Sequence, residues 1–285
     1  NAGGAFSPIG DVTTTMLWIA EKVTTPYLFG YLLLPSLVCM LVPTYLASRL
    51  SVFKGDLDVY GSDDSASGRF SSTMLYLGLS AIIFVPFFKM VTHLPPYVGM
   101  MLSLGIVAIF AEICSSSKFS LEGLDNKKHT SPIHHSLTKI ELPSILFFLG
   151  ILMAVAALES LGILFGFADW LKVSTPHIGT EMAGTAVSDL VVILLGVGSA
   201  VIDNVPLVAA SLGMFSEASD NILWHFIAYS AGTGGSMLVI GSAAGVVAMG
   251  MEKINFFWYL KKISWLAFTG FVCGALVFLF TRTLF

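Results

Sequence analysis

Two polar motifs that contain aspartate interrupt apolar stretches of the sequence. Asp11 follows the glycine-rich segment Asn1-Ala2-Gly3-Gly4-Ala5, and Asp203 begins the motif Asp203-Asn204-Val205-Pro206. Carboxylate, amide and main-chain carbonyl oxygens are hard donors, which suit a small alkali cation better than a soft metal. A carboxylate in an apolar segment is costly and usually marks an ion pathway or a proton relay. The motifs therefore predict a site for a cation such as Na⁺ at Asp11 and Asp203, with Asn204 as a further ligand.

Three further polar residues in apolar context have a structural as well as a functional interpretation. Glu159 either belongs to the site or bridges helices. Asp189 lies near one end of an apolar stretch, where an acidic residue commonly stabilises the N-terminus of a helix. Ser199 either faces the site or donates a hydrogen bond back to its own helix.

The composition indicates where such a site must lie. Of the 285 residues, 55% are hydrophobic and 11% are charged, and the mean hydropathy is +0.85. Ordinary soluble domains have about 25% charged residues, and a folded protein so poor in charge cannot face water over its whole surface. The composition excludes a soluble enzyme, a nucleic-acid-binding protein and a disordered chain. It predicts an all-α polytopic membrane protein embedded in the lipid bilayer.

The cysteines and the first residues give two smaller expectations. Cys39, Cys114 and Cys273 each lie in an apolar run, and their odd number gives no disulfide framework. The chain opens on Asn1 without an initiator methionine, a charged leader or a signal peptide. We therefore expect an N-terminal stretch to precede Asn1.

Five apolar runs are long enough for a membrane-spanning helix of about 20 residues. They lie at 27–47, 72–91, 94–114, 142–167 and 256–280. Polar stretches at 49–69, 115–141 and 172–181 separate the runs, and we predict the first two as loops outside the membrane. The second stretch contains His129, His134 and His135, which indicate a solvated loop rather than a metal site.

Three regions are predicted to be interrupted helices. Residues 183–214 are broken at 202–206, residues 222–251 are broken at 232–236, and residues 1–20 look like the second half of another such helix. Breaks release main-chain carbonyls that hydrocarbon cannot satisfy, so they persist where protein, water or an ion satisfies them. The alternative is a kink or close helix packing at small residues.

The lysines and arginines favour one topology. If 183–214 enters and leaves on the same side as a re-entrant hairpin, ten of the fourteen cations lie on one face of the membrane and four on the other. If 183–214 crosses the membrane, the division becomes eight to six. Because cytoplasmic loops carry the excess of positive charge, the count predicts a re-entrant hairpin at 183–214 and a cytoplasmic loop at 51–70.

The sequence contains an internal repeat. A shift of 231 residues aligns 1–22 with 232–253 without a gap, and six positions are identical, including a Gly-Gly pair and a terminal Glu-Lys. In the predicted topology the two copies end on opposite faces of the membrane. Inverted repeats with broken helices are the architecture of secondary transporters, which bind substrate at the breaks. We therefore predict an inverted-repeat secondary transporter, with the end of the first repeat at 1–50 and the second repeat at 71–285.

These motifs resemble those of the NhaD-type sodium/proton antiporters of the ion transporter superfamily. The resemblance is carried by residues 1–18, 202–210 and 232–245 and extends over the whole chain. It implies two re-entrant hairpins, an arrangement often dimeric in related families, and a bacterial inner membrane or plastid envelope. The site residues that it implies are Asn1, Asp11, Thr13, Thr14, Asp203, Asn204 and Ser236, with Glu159 and Ser199 as further candidates.

The resulting hypothesis is an exchange of Na⁺ or Li⁺ for H⁺ at shared carboxylates. Because burial raises the pKa of a carboxylic acid, an empty site holds a proton that Na⁺ displaces. Asp11 and Asp203 are expected to exchange the ions. The residues expected to orient or coordinate the cation are Asn1, Asn204, Thr233 and Ser236. No cofactor is expected besides the transported ions.

Other interpretations stay open at this point. A Na⁺-coupled dicarboxylate or other anion symporter would use the same scaffold, although a carboxylate at Asp203 repels anions. A membrane-embedded hydrolase is a remote alternative, since the sequence has neither His-Glu-x-x-His nor Gly-x-Ser-x-Gly. A passive structural subunit would leave the repeated breaks unexplained.

Overall fold

The structure is a computed structural model that describes most of the chain. The described residues are 1–50, 71–119, 146, 149–150, 153–154, 156–158, 160–179, 187–242, 245 and 254–283. The predicted cytoplasmic loop at 51–70, the three histidines at 129, 134 and 135, and Glu159 lie outside the described residues.

Helices account for every regular element of the described residues, as an all-α protein requires. The helices are α1 (Ala2–Ala5), α2 (Val12–Ile19), α3 (Thr25–Arg49), α4 (Ser71–Thr92), α5 (Pro96–Phe119), α6 (Ile163–Ser174), α7 (Asp189–Ile202), α8 (Asn204–Met214), α9 (Ile222–Gly234), α10 (Phe256–Lys262) and α11 (Ser264–Thr281). A short 3-10 turn, Gly235–Met237, continues α9.

Four of the described helices are long and apolar enough to cross a membrane, namely α3, α4, α5 and α11. The first three coincide with the apolar runs at 27–47, 72–91 and 94–114. The run at 256–280 differs, because the chain forms α10 and α11 with Ile263 between them. Lys261 and Lys262 end α10, and two ammonium groups are costly inside hydrocarbon, so the spanning helix begins after them.

Polar side chains cap the helices that start within the fold. The side chains of Asp11, Ser188, Asn221 and Asn255 accept hydrogen bonds from main-chain N–H groups at the starts of α2, α7, α9 and α10. Such caps satisfy donors that have no partner inside the helix. The helix starts are therefore fixed by the sequence even where hydropathy is uniform.

The larger of two compact units comprises residues 1–56 and 148–285. Its most buried element is α9, in which every residue from Leu223 to Gly234 is buried. Helix α9 packs on α7, and α11 packs along α3. The hydroxyl of Tyr229 donates to the carbonyl oxygen of Phe271 at 2.8 Å, which ties α9 to α11. The core of this unit is thus built around the second predicted broken helix.

The smaller unit comprises residues 57–147, and its described part is the helix pair α4 and α5. The hydroxyl of Ser103 on α5 donates to the carbonyl oxygen of Ala81 on α4 at 3.0 Å. Large apolar side chains such as Ile82 and Ile109 remain exposed. Exposed apolar surface of this extent is typical of helices in contact with lipid.

Hydrogen bonds and a cation–π contact connect two loops of the larger unit. The ammonium group of Lys22 donates to the carbonyl oxygen of Glu217 at 3.0 Å and lies 5.0 Å from the centre of the Trp224 ring. The N–H of Asp220 donates to the carbonyl oxygen of Lys22, and the Asp220 carboxylate accepts from the N–H of Thr24. These contacts hold the end of α2 beside the start of α9.

A buried ion pair joins the start of α7 to the end of α11. The guanidinium group of Arg282 donates to both carboxylate oxygens of Asp189, at 2.7 and 2.8 Å. Asp189 is the first residue of α7, as predicted for an acidic residue at a helix N-terminus. Both side chains are buried, so neither charge is solvated by water when its partner is removed.

Removal of one partner of this ion pair is expected to destabilise the fold strongly. Arg282→Met leaves the Asp189 carboxylate buried without a counter-charge, which costs about 3 to 5 kcal/mol. The measurement is the free energy of unfolding in mixed detergent micelles. The double variant Asp189→Leu/Arg282→Met buries no charge and serves as the control, because it should recover most of the loss. A single variant as stable as the wild type would contradict this prediction.

Close contact between α7 and its neighbours depends on glycine. A Cβ at Gly196 would lie 2.8 Å from Cζ of Phe271 and 2.9 Å from the carbonyl oxygen of Ser230. A Cβ at Gly234 would overlap the carbonyl oxygen of Gly196. The main chains of α7 and α9 therefore touch directly.

Two glycines of α7 should respond in opposite directions to an added methyl group. Gly196→Ala should lower the free energy of unfolding by about 1 to 3 kcal/mol through overpacking. Gly198→Ala places its Cβ 3.6 Å from Cδ1 of Leu207, an ordinary contact, and should gain about 0.5 kcal/mol from helix propensity. Thermal unfolding of both variants checks the prediction, which fails if the two melt alike.

Candidate cation site at two helix breaks

The first break separates α1 from α2 and ends at Asp11. The Asp11 carboxylate caps α2, because its Oδ1 accepts from the N–H of Val12 at 2.8 Å. Its Oδ2 accepts from the hydroxyl of Thr13 at 2.6 Å. Thr13 is fully buried. Both carboxylate oxygens of Asp11 are therefore held in place by residues of the helix that it caps.

The second break places Asn204 against the same carboxylate. The amide Nδ2 of Asn204 donates to Oδ2 of Asp11 at 3.1 Å, across 193 positions of sequence. Asn204 is buried. Two of the predicted ligands, which belong to different interrupted helices, are thus in direct contact.

Asp203 forms the second break itself. It ends α7 and begins α8 with φ 80° and ψ 149°, and its Oδ1 accepts from the N–H of Asn204 at 2.8 Å. This conformation is essentially restricted to glycine, so an aspartate there stores about 1 to 3 kcal/mol of strain. Strained residues cluster at functional sites.

A second polar cluster lies at the start of α1. The amide Nδ2 of Asn1 donates to the hydroxyl oxygen of Ser236 at 2.9 Å and to that of Ser242 at 3.0 Å. The carbonyl oxygen of Ser236 accepts from the hydroxyl of Tyr259 at 2.7 Å. Asn1 and Ser236 were predicted site residues, whereas Ser242 was not. The sequence signal for Ser242 is the repeat, since a shift of 231 places it on Asp11.

The remaining predicted hydroxyls satisfy main-chain carbonyls at the breaks. The hydroxyl of Thr14 donates to the carbonyl oxygens of Ser7 and Asp11, and the hydroxyl of Thr233 donates to that of Tyr229. Ser199 donates to the carbonyl oxygen of Ala231 on α9 at 2.8 Å rather than to its own helix. These hydrogen bonds stabilise the main chain at and near the breaks.

Gly232 brings the second broken helix close to the first. A Cβ at Gly232 would lie 3.5 Å from the Thr13 hydroxyl and 3.7 Å from Oδ2 of Asp11. The carboxylate of Asp11 therefore lies between the tip at Asn204 and the glycine face of α9. Glu159 lies outside the described residues, and Asp189 is engaged with Arg282 away from this group.

The chemistry of the site is that of hard oxygen ligands. Within the described residues, neither Asp11 nor Asp203 forms an ion pair, and His, Cys, Asp and Glu form no cluster of three that would hold a metal ion. Two half-buried carboxylates with amide and hydroxyl oxygens around them suit an alkali cation or a proton. They do not suit zinc, which prefers nitrogen and sulfur ligands.

The fold and the candidate site are those of a multi-pass membrane protein with carboxylate, amide and hydroxyl groups at two helix breaks. The chain belongs to the citrate transporter (CitMHS) family, whose model matches residues 1–225. The naming of the family and of the relatives below as transporters agrees with the expectation that the chain is not an enzyme.

Curated relatives confirm the resemblance to NhaD-type antiporters. "Sodium/proton antiporter 1" of Arabidopsis thaliana is 42% identical over 100% of this chain and 47% of its own length. "Na(+)/H(+) antiporter NhaD" of Alkalimonas amylolytica is 32% identical over 98% of this chain and 58% of its own length. The Vibrio cholerae protein of the same name is 33% identical over 92% and 55%. The chain spans about half the length of these relatives. No solved structure matches the chain significantly.

Removal of the Thr13 hydroxyl is expected to weaken Na⁺ binding. Thr13→Val deletes the hydroxyl that donates to Oδ2 of Asp11, so the carboxylate is held less firmly and Na⁺ affinity should fall about tenfold. The affinity is read from the rise in unfolding temperature with Na⁺ concentration. Thr269→Val on α11 is the control, because the Thr269 hydroxyl donates to the carbonyl oxygen of Leu266 in its own helix. Equal Na⁺ affinities in the two variants would contradict the prediction.

Proposed function

We propose that the protein exchanges Na⁺ or Li⁺ for H⁺ across a membrane through Asp11 and Asp203. The observation that carries this proposal is the hydrogen bond between Asn204 and Asp11, which joins two acid-bearing helix breaks. The antiporter names of the relatives support it.

The exchange is a competition between two cations for the same oxygens. A proton binds one carboxylate oxygen covalently, whereas Na⁺ needs several oxygen ligands around it. The second carboxylate, the Asn204 and Asn1 side chains and the carbonyls released at the breaks supply these ligands. Each bound ion removes one unit of negative charge from the site, and a less charged site crosses the hydrocarbon region at a lower cost than the empty one. Binding of one ion at a time therefore couples the two fluxes.

Transport of a carboxylate substrate is the second candidate function, because the family model is described as a citrate transporter. The half-buried charges of Asp11 and Asp203 oppose it, since each would repel a dicarboxylate. Cation exchange is therefore the function that the site favours.

The re-entrant hairpin at 183–214 is part of this proposal. Four predicted crossings separate Lys22 from Asp189, which puts both residues on one face. The bond from Lys22 to Glu217 and the ion pair of Asp189 with Arg282 require residues 217 and 282 on that same face. If 183–214 crossed the membrane, residues 217 and 282 would lie on the opposite face. Both contacts therefore support a hairpin, with its tip at Asp203.

The inverted repeat is supported by equivalent glycine contacts in the two copies. A Cβ at Gly4 would lie 2.5 Å from the carbonyl oxygen of Gly10, and one at Gly235 would overlap that of Gly241. A shift of 231 residues relates the two pairs. The N–H of Gly10 donates to the carbonyl oxygen of Ser7, and the N–H of Gly241 donates to that of Leu238, both at 3.1 Å. These two hydrogen bonds also lie at equivalent positions of the repeat.

Three further parts of the proposal concern organisation. The division into repeats at 1–50 and 71–285, with a cytoplasmic loop at 51–70, follows from the inverted topology. The partners are monovalent cations, the lipid bilayer and a second copy in a homodimer. The membrane is a bacterial inner membrane or a plastid envelope, in line with the bacterial and plant relatives.

Neutral replacement of either aspartate is expected to abolish exchange. Asp11→Asn and Asp203→Asn keep an acceptor oxygen for the helix cap but cannot exchange a proton at neutral pH. Na⁺-dependent proton release from proteoliposomes should fall to the level of empty vesicles. Asp169→Asn, which alters an exposed aspartate of α6, is the control and should retain exchange.

Two results would contradict the proposal. Exchange at the wild-type rate in Asp11→Asn or Asp203→Asn would remove these carboxylates from the mechanism. Na⁺-driven uptake of citrate by the wild type, without proton release, would favour the symporter.

A further inference from the structure

The side chain of Asn1 directs its amide nitrogen toward two hydroxyl groups. Both hydrogens of Nδ2 are used, one by Ser236 and one by Ser242, at 2.9 and 3.0 Å. The other polar atom of the side chain is Oδ1, to which no described residue donates a hydrogen bond. An alkali cation binds a carbonyl oxygen and is repelled by an N–H group, so this orientation decides whether Asn1 is a ligand.

Ser242 is itself held firmly. Its side chain is buried, and its oxygen also accepts from the N–H of Gly245 at 3.2 Å. A Cβ at Gly235 would lie 3.3 Å from Cβ of Ser242, so the serine packs against the 3-10 turn Gly235–Met237. A side chain with so little freedom is suited to orient another group.

The repeat gives an independent reason to single out Ser242. Position 242 corresponds to position 11 after the shift of 231 residues. In both copies the side chain at this position accepts a hydrogen bond from an asparagine amide. Asn204 donates to Asp11, and Asn1 donates to Ser242. The first copy has a carboxylate there and the second has a neutral hydroxyl. Ser242 therefore performs the amide-orienting role of Asp11 without adding a titratable group.

We infer that Ser242 is a positioning residue that turns Oδ1 of Asn1 toward the transported cation. The inference rests on the proposed function and deepens it. Ser242 acts through Asn1 and not as a ligand of its own. Its removal should therefore weaken cation binding and leave the rate at saturating Na⁺ intact.

The test is a double-mutant cycle on Na⁺-dependent proton release in proteoliposomes. The variants are Ser242→Ala, Asn1→Ala and the double variant, compared with the wild type. Loss of one hydrogen bond corresponds to about a fivefold change in an equilibrium constant. Ser242→Ala should thus raise the KM for Na⁺ about fivefold with unchanged maximal rate. In the Asn1→Ala background the same change should have no further effect.

A matched control separates this role from a general loss of packing. Ser211→Ala removes another fully buried hydroxyl, one that donates to the carbonyl oxygen of Leu207 in its own helix. It should leave the KM for Na⁺ unchanged. Unfolding temperatures of the two serine variants are measured alongside, and they should agree.

The outcomes test the role of Ser242 separately from the proposed cation exchange. Absence of Na⁺-dependent proton release in the wild type would refute the proposed exchange. With exchange present in the wild type, an unchanged KM in Ser242→Ala would overturn the inference alone. A fall in maximal rate, or an effect that adds to that of Asn1→Ala, would overturn it as well.

Discussion

Hydrocarbon offers no hydrogen-bond partners, and this constraint governs the whole arrangement around the helix breaks. A break in a membrane helix is stable only if the protein satisfies the main-chain groups that it releases. Here the threonines after Asp11 donate to carbonyl oxygens of the first break. Tyr259 and Ser199 donate to carbonyl oxygens of the second broken helix, on Ser236 and Ala231. Side chains that the sequence patterns associate with ion binding thus donate hydrogen bonds to main-chain carbonyl oxygens.

The acidic residues meet the same constraint in a different way. Asp11 and Asp203 each cap a helix with one carboxylate oxygen, so the group that binds a cation also completes a helix. Asn204 then links the two caps through the second oxygen of Asp11. Helix capping and the proposed cation binding depend on the same two carboxylates. A change in the ion bound at either carboxylate therefore also alters the start of the helix that this carboxylate caps.

The spanning helices α3, α4 and α5 and the break at Asp203 could be predicted from the sequence, because hydropathy and helix-breaking residues act locally. The contact of Asn204 with Asp11 could not, since 193 positions separate the partners. The pairing of Asp189 with Arg282 could not be predicted either, since 93 positions separate the two residues. The run at 256–280 predicts one helix because its mean hydropathy conceals Lys261 and Lys262. Ser242 corresponds to Asp11 in the repeat, and because the two residue types differ, identity between the copies does not single it out.

The direct contact between the main chains of α7 and α9 has a mechanical consequence. Gly196 and Gly234 bring the two main chains into contact, and Ser199 donates a hydrogen bond across the same interface. Side-chain rotamers can absorb small displacements at an ordinary helix interface, whereas main chains in direct contact have little room to move independently. We therefore expect a displacement of either helix to be transmitted to the other.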